Sequence, residues 1–140
     1  MEITLAVLAD AANLSQEGKL NLLGVFQAIR TPVVPFNLPS MTFVAMAQLE
    51  ISDKGIPHSF KLVIHDEDMH EIWLSGEIPF SVANEDPRLN PEYPFMFHFQ
   101  NLVFPIFGVY QFDIYIDDKK QREISPLQVL VQPIIQPPLE

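Results

Sequence analysis

The sequence contains no cysteine, and it has only five glycines and eight Lys and Arg residues among 140. Without cysteine the chain forms no disulfide, no thiolate-ligated zinc or iron–sulfur site and no thiol nucleophile. No apolar run approaches the roughly 18–20 residues that span a bilayer. Residues 1–4 also lack the basic start of a signal peptide. These absences favour a cytoplasmic protein.

Basic residues are scarce relative to acidic ones. Eighteen Asp and Glu residues outweigh the eight Lys and Arg residues, which gives a net charge of −10. Such a chain repels phosphate backbones and anionic lipids, and it contains no basic cluster that would offset the repulsion. Neither nucleic acid nor a membrane is therefore expected as a partner.

The length and the apolar content indicate one folded domain. A chain of 140 residues fits a single domain, and 48% hydrophobic residues with eleven Phe can fill its core. We predict a domain over residues 1–132, followed by a Pro-rich tail over residues 133–140.

The clearest local pattern is a strand at residues 109–116. Tyr110, Phe112, Ile114 and Ile116 alternate there with polar residues, which is the pattern of a half-buried strand. The polar residues 117–120 then predict a turn.

Similar patterns predict further strands, separated by turn-forming residues. The expected strands are residues 3–9, 20–29, 41–51, 58–65, 70–82, a strand starting at Phe95, and 124–132. Residues 9–19 are predicted to form a loop. Residues 31–39 are expected to cross outside any central strand, because their three prolines lack an N–H donor. About eight antiparallel strands without a long helix indicate a β-sandwich, with a closed barrel as the alternative.

Two stretches resemble known families. The sequence G-V-Y-Q-F at residues 108–112 resembles the tyrosine corner of immunoglobulin-like sandwiches, in which the Tyr hydroxyl bonds to the chain just upstream. The openings A-D-A-A-N at residues 9–13 and G-K-L-N-L-L-G-V-F at residues 18–26 resemble an uncharacterised family of small bacterial proteins. That family also has a D-x-D turn, here at residues 66–68, followed by a glycine where this chain has Met69. The tyrosine corner implies an immunoglobulin-like fold, whereas the second resemblance implies a bacterial origin and a fold but no activity or site residue.

Residues 65–70 form the segment richest in metal-ligand types. Its candidate ligands are His65, Asp66, Asp68 and His70, which a divalent cation could accept. An acidic hairpin turn explains the same residues without an ion, and no cofactor is expected.

Asp10 and Asn13 are a second candidate pair. Three residues apart in the predicted loop, they could orient a ligand, or they could bond the local backbone. Nucleophilic catalysis has no support, because the chain has neither a G-x-S-x-G segment nor a cysteine.

Several apolar residues occupy positions that alternation places outside the core. Trp73, Met46, Met96 and Tyr115 are the main examples, and exposed apolar groups of this kind usually mark an interface. The favoured function is therefore a non-catalytic interaction or assembly module that binds a protein partner or self-associates. The alternatives are a carbohydrate- or small-ligand-binding domain in which Trp73 stacks on the ligand, and a metal-dependent enzyme. A cover supplied by the chain's own loops would equally explain the apolar positions.

Overall fold

The computed structural model describes residues 1–121 and 127–134. One 3₁₀ turn, Ile51–Asp53, accompanies eleven strands. The strands are β1 (Glu2–Leu14), β2 (Leu20–Phe26), β3 (Ala28–Thr31), β4 (Phe36–Gln48), β5 (His58–His65), β6 (Glu71–Leu74), β7 (Ile78–Phe80), β8 (Glu92–Phe104), β9 (Gly108–Ile116), β10 (Lys119–Lys120) and β11 (Leu127–Pro133). No helix in this part of the chain is long and apolar enough to cross a bilayer.

The strands form two sheets that pack face to face. The four-stranded sheet has the order β2-β1-β4-β8, and the seven-stranded sheet has the order β3-β11-β9-β5-β6, with β7 beside β5 and β10 beside β9. Among the described strands, all pairs are antiparallel except β3 with β11, which is parallel. The all-β sandwich is thus confirmed, and the described strands do not close into a barrel.

Aromatic side chains from both sheets fill the space between them. Phe43 of β4 stacks on Phe112 of β9 at 6.0 Å between ring centroids, and Phe60 of β5 stacks on Phe95 of β8 at 3.9 Å. Each fully buried ring contributes roughly 1.5–3 kcal/mol through removal of apolar area from water. The many Phe side chains therefore hold the two sheets together.

Two segments predicted as single strands are each divided. Residues 20–29 form β2 and β3, which belong to different sheets and are separated by Gln27. Residues 70–82 contain β6 and β7, because Gly76 has a left-handed φ of 73° that interrupts the strand. The Ser75 hydroxyl accepts the N–H of Leu62 at 2.9 Å and holds the break against β5.

Strand β1 is longer than predicted, and the predicted loop over residues 9–19 is wrong for its first half. β1 continues to Leu14, and its residues 8–14 pair with β2. Its pairing with β4 ends where Ala9 faces Thr42. Residues 10–14 and 20–25 therefore form a two-stranded hairpin beyond the sheet, which we call the β1–β2 arm.

Strand β4 also begins earlier than predicted, at Phe36, and it includes Pro39. In this first half β4 pairs with β8 and not with β1. Pro39 is tolerated because β4 has a neighbour on one side only there, so the missing N–H breaks no second ladder.

Two local predictions about β9 are confirmed. The Tyr110 hydroxyl accepts the Ile106 N–H at 3.0 Å and donates to the Ile106 carbonyl at 2.8 Å, which is the expected corner contact. Asp117 and Asp118 have φ values of 52° and 64°, as a two-residue type I′ turn requires. The last predicted strand corresponds to β11, whereas residues 122–126 and 135–140, including most of the predicted tail, lie outside the described residues.

Candidate functional site

Met46 and Met96 lie on the outer face of the four-stranded sheet, as predicted. Strand pairing places Met46 opposite Leu5 of β1, and Met96 opposite Val44, which itself faces Val7. Both methionines are half-buried. The apolar rows continue across three strands, so these residues belong to one surface.

This surface extends onto the β1–β2 arm. Val25 faces Ala9 and Leu23 faces Ala11, which puts both on the same outer side as Val7. Leu23 is 69% exposed and Val25 53% exposed. We call the set Leu5, Val7, Leu23, Val25, Met46 and Met96 the outer apolar face.

Charge is nearly absent from the four-stranded sheet. Its strands carry three charged side chains, Glu2, Asp10 and Glu92, and they contain no Lys or Arg. The other side of the arm is apolar as well, since Leu14 is 41% and Leu22 37% exposed. An isolated two-stranded hairpin is marginally stable in water at best, and both sides of this arm leave leucine side chains exposed among the described residues.

Trp73 does not belong to this surface, and its predicted outward orientation is wrong. Trp73 pairs with the buried Ile64, and its ring packs edge-on against Phe97 at 5.6 Å and Phe99 at 4.7 Å. Leu74 is exposed instead. The break at Gly76 and the bulge beside His65 reset the alternation, so counting residues from β7 assigned the wrong side.

Tyr115 lies on the outer face of the seven-stranded sheet, on the opposite side of the sandwich from Met46. The Lys61 ammonium sits 4.7 Å from the centre of its ring. The four proposed contact residues thus divide among three places, and only Met46 and Met96 lie together.

Asp10 and Asn13 do not converge either. Both lie on β1 rather than in a loop, and an odd spacing along a strand places them on opposite faces. Asn13 accepts a hydrogen bond from the Asn21 amide at 2.9 Å across the arm. Asp10 faces Gly24, and its carboxylate occupies the space that a side chain at position 24 would need.

The candidate metal residues come together only in part. Oxygen and nitrogen atoms of Asp66, Asp68 and His70 lie within 4.8 Å of one another, whereas His65 is not in this group. Asp66 Oδ1 accepts the N–H groups of Asp68 and His70, each at 2.9 Å, and Oδ2 contacts His70 Nδ1 at 3.1 Å. Burial would raise the pKa of Asp66, but these hydrogen bonds lower it overall. The carboxylate therefore closes the hairpin turn.

His65 instead forms a buried ionic group that the sequence did not reveal. Its Nε2 lies 2.5 Å from Asp113 Oδ2, and Lys120 Nζ lies 3.4 Å from Asp113 Oδ1, which has no hydrogen-bond partner. The Nδ1 of His65 lies 2.9 Å from the Asp66 carbonyl, so it must carry a proton. Neither ring nitrogen is free to take a proton from a substrate. His65, Asp113 and Lys120 are brought together by the pairing register of their strands, which cannot be read from the sequence.

A second histidine–aspartate pair lies at the other end of β5. His58 Nδ1 is 2.8 Å from Asp117 Oδ2, and His58 Nε2 is 2.9 Å from the Asp53 carbonyl. Burial lowers the pKa of His58, but the hydrogen bonds to Asp117 and Asp53 outweigh burial and raise it overall. This pair also fixes a turn, because Asp117 Oδ1 accepts the Ser59 N–H.

Comparison with known proteins gives a family without an assigned activity. No curated protein matches the sequence. A family model described as a family of unknown function, DUF6941, matches residues 4–130, which is nearly the whole described domain. This chain therefore belongs to the family of unknown function DUF6941.

Proposed function

We propose that this protein is a non-catalytic assembly module that self-associates through the outer apolar face and the β1–β2 arm. The observation that carries the proposal is the exposure of Leu23 and Val25 on a sheet without any Lys or Arg. Exposed contiguous apolar patches on soluble domains usually mark interaction surfaces.

The charge distribution favours a second copy as the partner. A chain with a net charge of −10 repels itself over most of its surface. A two-fold interface brings the same patch together from both subunits, so the patch must be self-complementary. An uncharged apolar surface meets that requirement, whereas a patch with one sign of charge does not.

The chemistry of the remaining groups supports a non-catalytic role. The His65 and His58 rings each have both nitrogens in polar contacts, and Asp66 closes a turn. Trp73 packs against Phe97 and Phe99 in the space between the sheets rather than standing on an outer face, which disfavours a role in stacking on a sugar. With this role we retain the cytoplasmic location and bacterial origin that the sequence favours.

The absence of cysteine permits a direct test by thiol labelling. A single Leu23→Cys variant is labelled with a maleimide at increasing protein concentration. Leu89→Cys is the matched control, because Leu89 is 70% exposed and lies in the loop before β8. We expect labelling at position 23 to slow as the protein associates, and labelling at position 89 to stay constant.

The proposal would be contradicted if the labelling rate at position 23, like that at position 89, did not change with protein concentration. Circular dichroism of both variants checks that each retains the fold.

A further inference from the structure

A cavity of about 380 Å³ lies where the β1–β2 arm leaves the four-stranded sheet. Its walls come from the end of β2, from β3 and from the first half of β4. The apolar lining residues are Val25, Phe26, Ala28, Ile29, Phe36 and Leu38. A volume in this range is typical of small-molecule sites. Val25 lines this cavity and also belongs to the outer apolar face, whereas Asp10 and Arg30 belong to the cavity alone.

Asp10 places a carboxylate in this apolar surrounding. The preceding inward residues of β1 are Ile3, Ala6 and Leu8, all buried in the core. Asp10 takes the next inward position and lies against Gly24, where an added Cβ would come 2.4 Å from Asp10 Oδ2. The residue at position 24 thus leaves room for the carboxylate, which makes no hydrogen bond or ion pair within the described residues.

Arg30 supplies the opposite charge to the same cavity. It lies on β3, across the opening from the arm, and likewise forms no ion pair within the described residues. Asp10 and Arg30 do not pair with each other, although both line one cavity. Two uncompensated, opposite charges beside apolar walls are the groups that would orient a ligand.

We propose that this cavity binds a small zwitterion with an apolar body, of the amino-acid class. The Arg30 guanidinium would hold the ligand's carboxylate through two parallel N–H···O bonds. Asp10 would hold the ammonium group, next to the rings of Phe26 and Phe36, which also favour a cation. A ligand with only one charge would leave the other protein charge uncompensated.

The backbone of β4 beside the cavity can also contribute hydrogen bonds to a ligand. The first half of β4 pairs with β8 alone, since β1 has already diverged into the arm. One edge of residues 36–38 therefore has no strand partner among the described residues. Its N–H and C=O groups remain available to the polar end of a ligand, and Pro39 limits the length of chain that could add there.

Isothermal titration calorimetry of the full chain tests the proposal. The probes are L-leucine, L-phenylalanine and ε-aminocaproate, which sample different spacings of the two charges. Leucinamide lacks the carboxylate, and isocaproate lacks the ammonium group. We expect at least one zwitterion to bind about tenfold more tightly than either singly charged analogue, since charge-assisted hydrogen bonds discriminate by this order.

Two variants test the contributions of Arg30 and Asp10 separately. Arg30→Gln should abolish the preference for leucine over leucinamide, and Asp10→Asn should abolish the preference for leucine over isocaproate. Both side chains are exposed, so neither variant threatens the fold. Glu17→Gln, an exposed carboxylate between β1 and β2, is the control and should keep both preferences.

No heat of binding for any zwitterion at about 10 mM, well above a millimolar Kd, would overturn the proposal. Binding that ignores both variants would overturn it as well. Neither result bears on self-association, which is measured by mass without a ligand.

Discussion

The outer faces of the two sheets differ in chemistry, although the same alternation of inward and outward residues builds both. The seven-stranded face carries Lys61, His65 and Asp113, and it adds Lys120 from β10. Asp113 contacts both His65 and Lys120, and Lys61 lies 4.0 Å from Glu77, so these charges are compensated within the chain. The four-stranded face carries apolar rows, and Leu23 and Val25 remain exposed at its end.

The difference supports the proposal that the four-stranded face binds a partner. Polar groups on an outer sheet face can form hydrogen bonds with water or with each other. Apolar groups there are stabilised only when another surface covers them. The charged face carries its own counter-charges within the described residues. We propose that a second surface covers the apolar face.

The largest effect is expected on the charged face. Asp113→Ala leaves the buried His65 and the Lys120 ammonium without their carboxylate. Removing one partner of a buried ion pair costs about 3–5 kcal/mol. Urea denaturation measures this loss, and Glu92→Ala, an exposed carboxylate on β8, should change stability by less than about 0.5 kcal/mol. Equal stability of the two variants would show that the ionic group does not hold the charged face together.

Trp73→Ala distinguishes the core from the interface. Trp73 is half-buried against Phe97 and Phe99. Its truncation should lower the free energy of unfolding by about 2–4 kcal/mol, slightly below the range for fully buried rings. The molar mass of the folded protein should not change. A variant that keeps its stability but fails to associate would instead show that Trp73 belongs to the interface.

The pH dependence should affect stability and leave association unchanged. The folded pKa of His58 is raised above 6.5, so its contribution is complete below pH 6.5 and is lost as pH rises through the folded value. Burial would raise the pKa of Asp117, but the His58 hydrogen bond lowers it below 3.8, so its contribution is lost as pH falls through that range. The pair therefore stabilises the fold most between these two values.

Thermal unfolding of wild type and Asp117→Asn from pH 5 to pH 9 measures this contribution. The melting temperature of the wild type should exceed that of the variant at low pH, and this difference should disappear as the solution becomes alkaline. A constant difference across the range would mean that His58 is not protonated in the folded protein.

The smallest effect is expected at the turn beside the charged face. Met69 has a φ of 64°, the left-handed conformation that glycine adopts without steric cost. Met69→Gly should stabilise the fold by about 0.5–1 kcal/mol, because relief of the left-handed strain exceeds the added entropy of the unfolded chain. Gly76→Ala is the converse control, since Gly76 has a φ of 73° and no atom within 4 Å of an added Cβ. It should destabilise the fold by a similar amount, as melting temperatures will show.

The sequence predicted the sandwich because its signals are local. Strict alternation in β9, the turn at residues 117–120 and the Tyr110 corner each depend on neighbouring residues, and all three are present. The glycine expected in place of Met69 also had a local cause, which is the left-handed backbone at that position.

The remaining features depend on contacts between distant segments. Alternation predicts the wrong face for Trp73 because the bulge beside His65 and the break at Gly76 reset it. Asp113 and Lys120 meet His65 only through the pairing of β5, β9 and β10. The extent of the β1–β2 arm follows from where β4 stops pairing with β1, a tertiary property that residues 9–19 do not encode locally.

We propose that the outer apolar face joins two copies of this chain. Light scattering coupled to size-exclusion chromatography measures the molar mass of wild type, Leu23→Asp and the equally exposed Leu89→Asp. We expect a dimer or larger assembly for wild type and Leu89→Asp, and a folded monomer near 16.0 kDa for Leu23→Asp. A wild-type monomer at every concentration, or an assembly that Leu23→Asp leaves intact, would contradict the proposed interface.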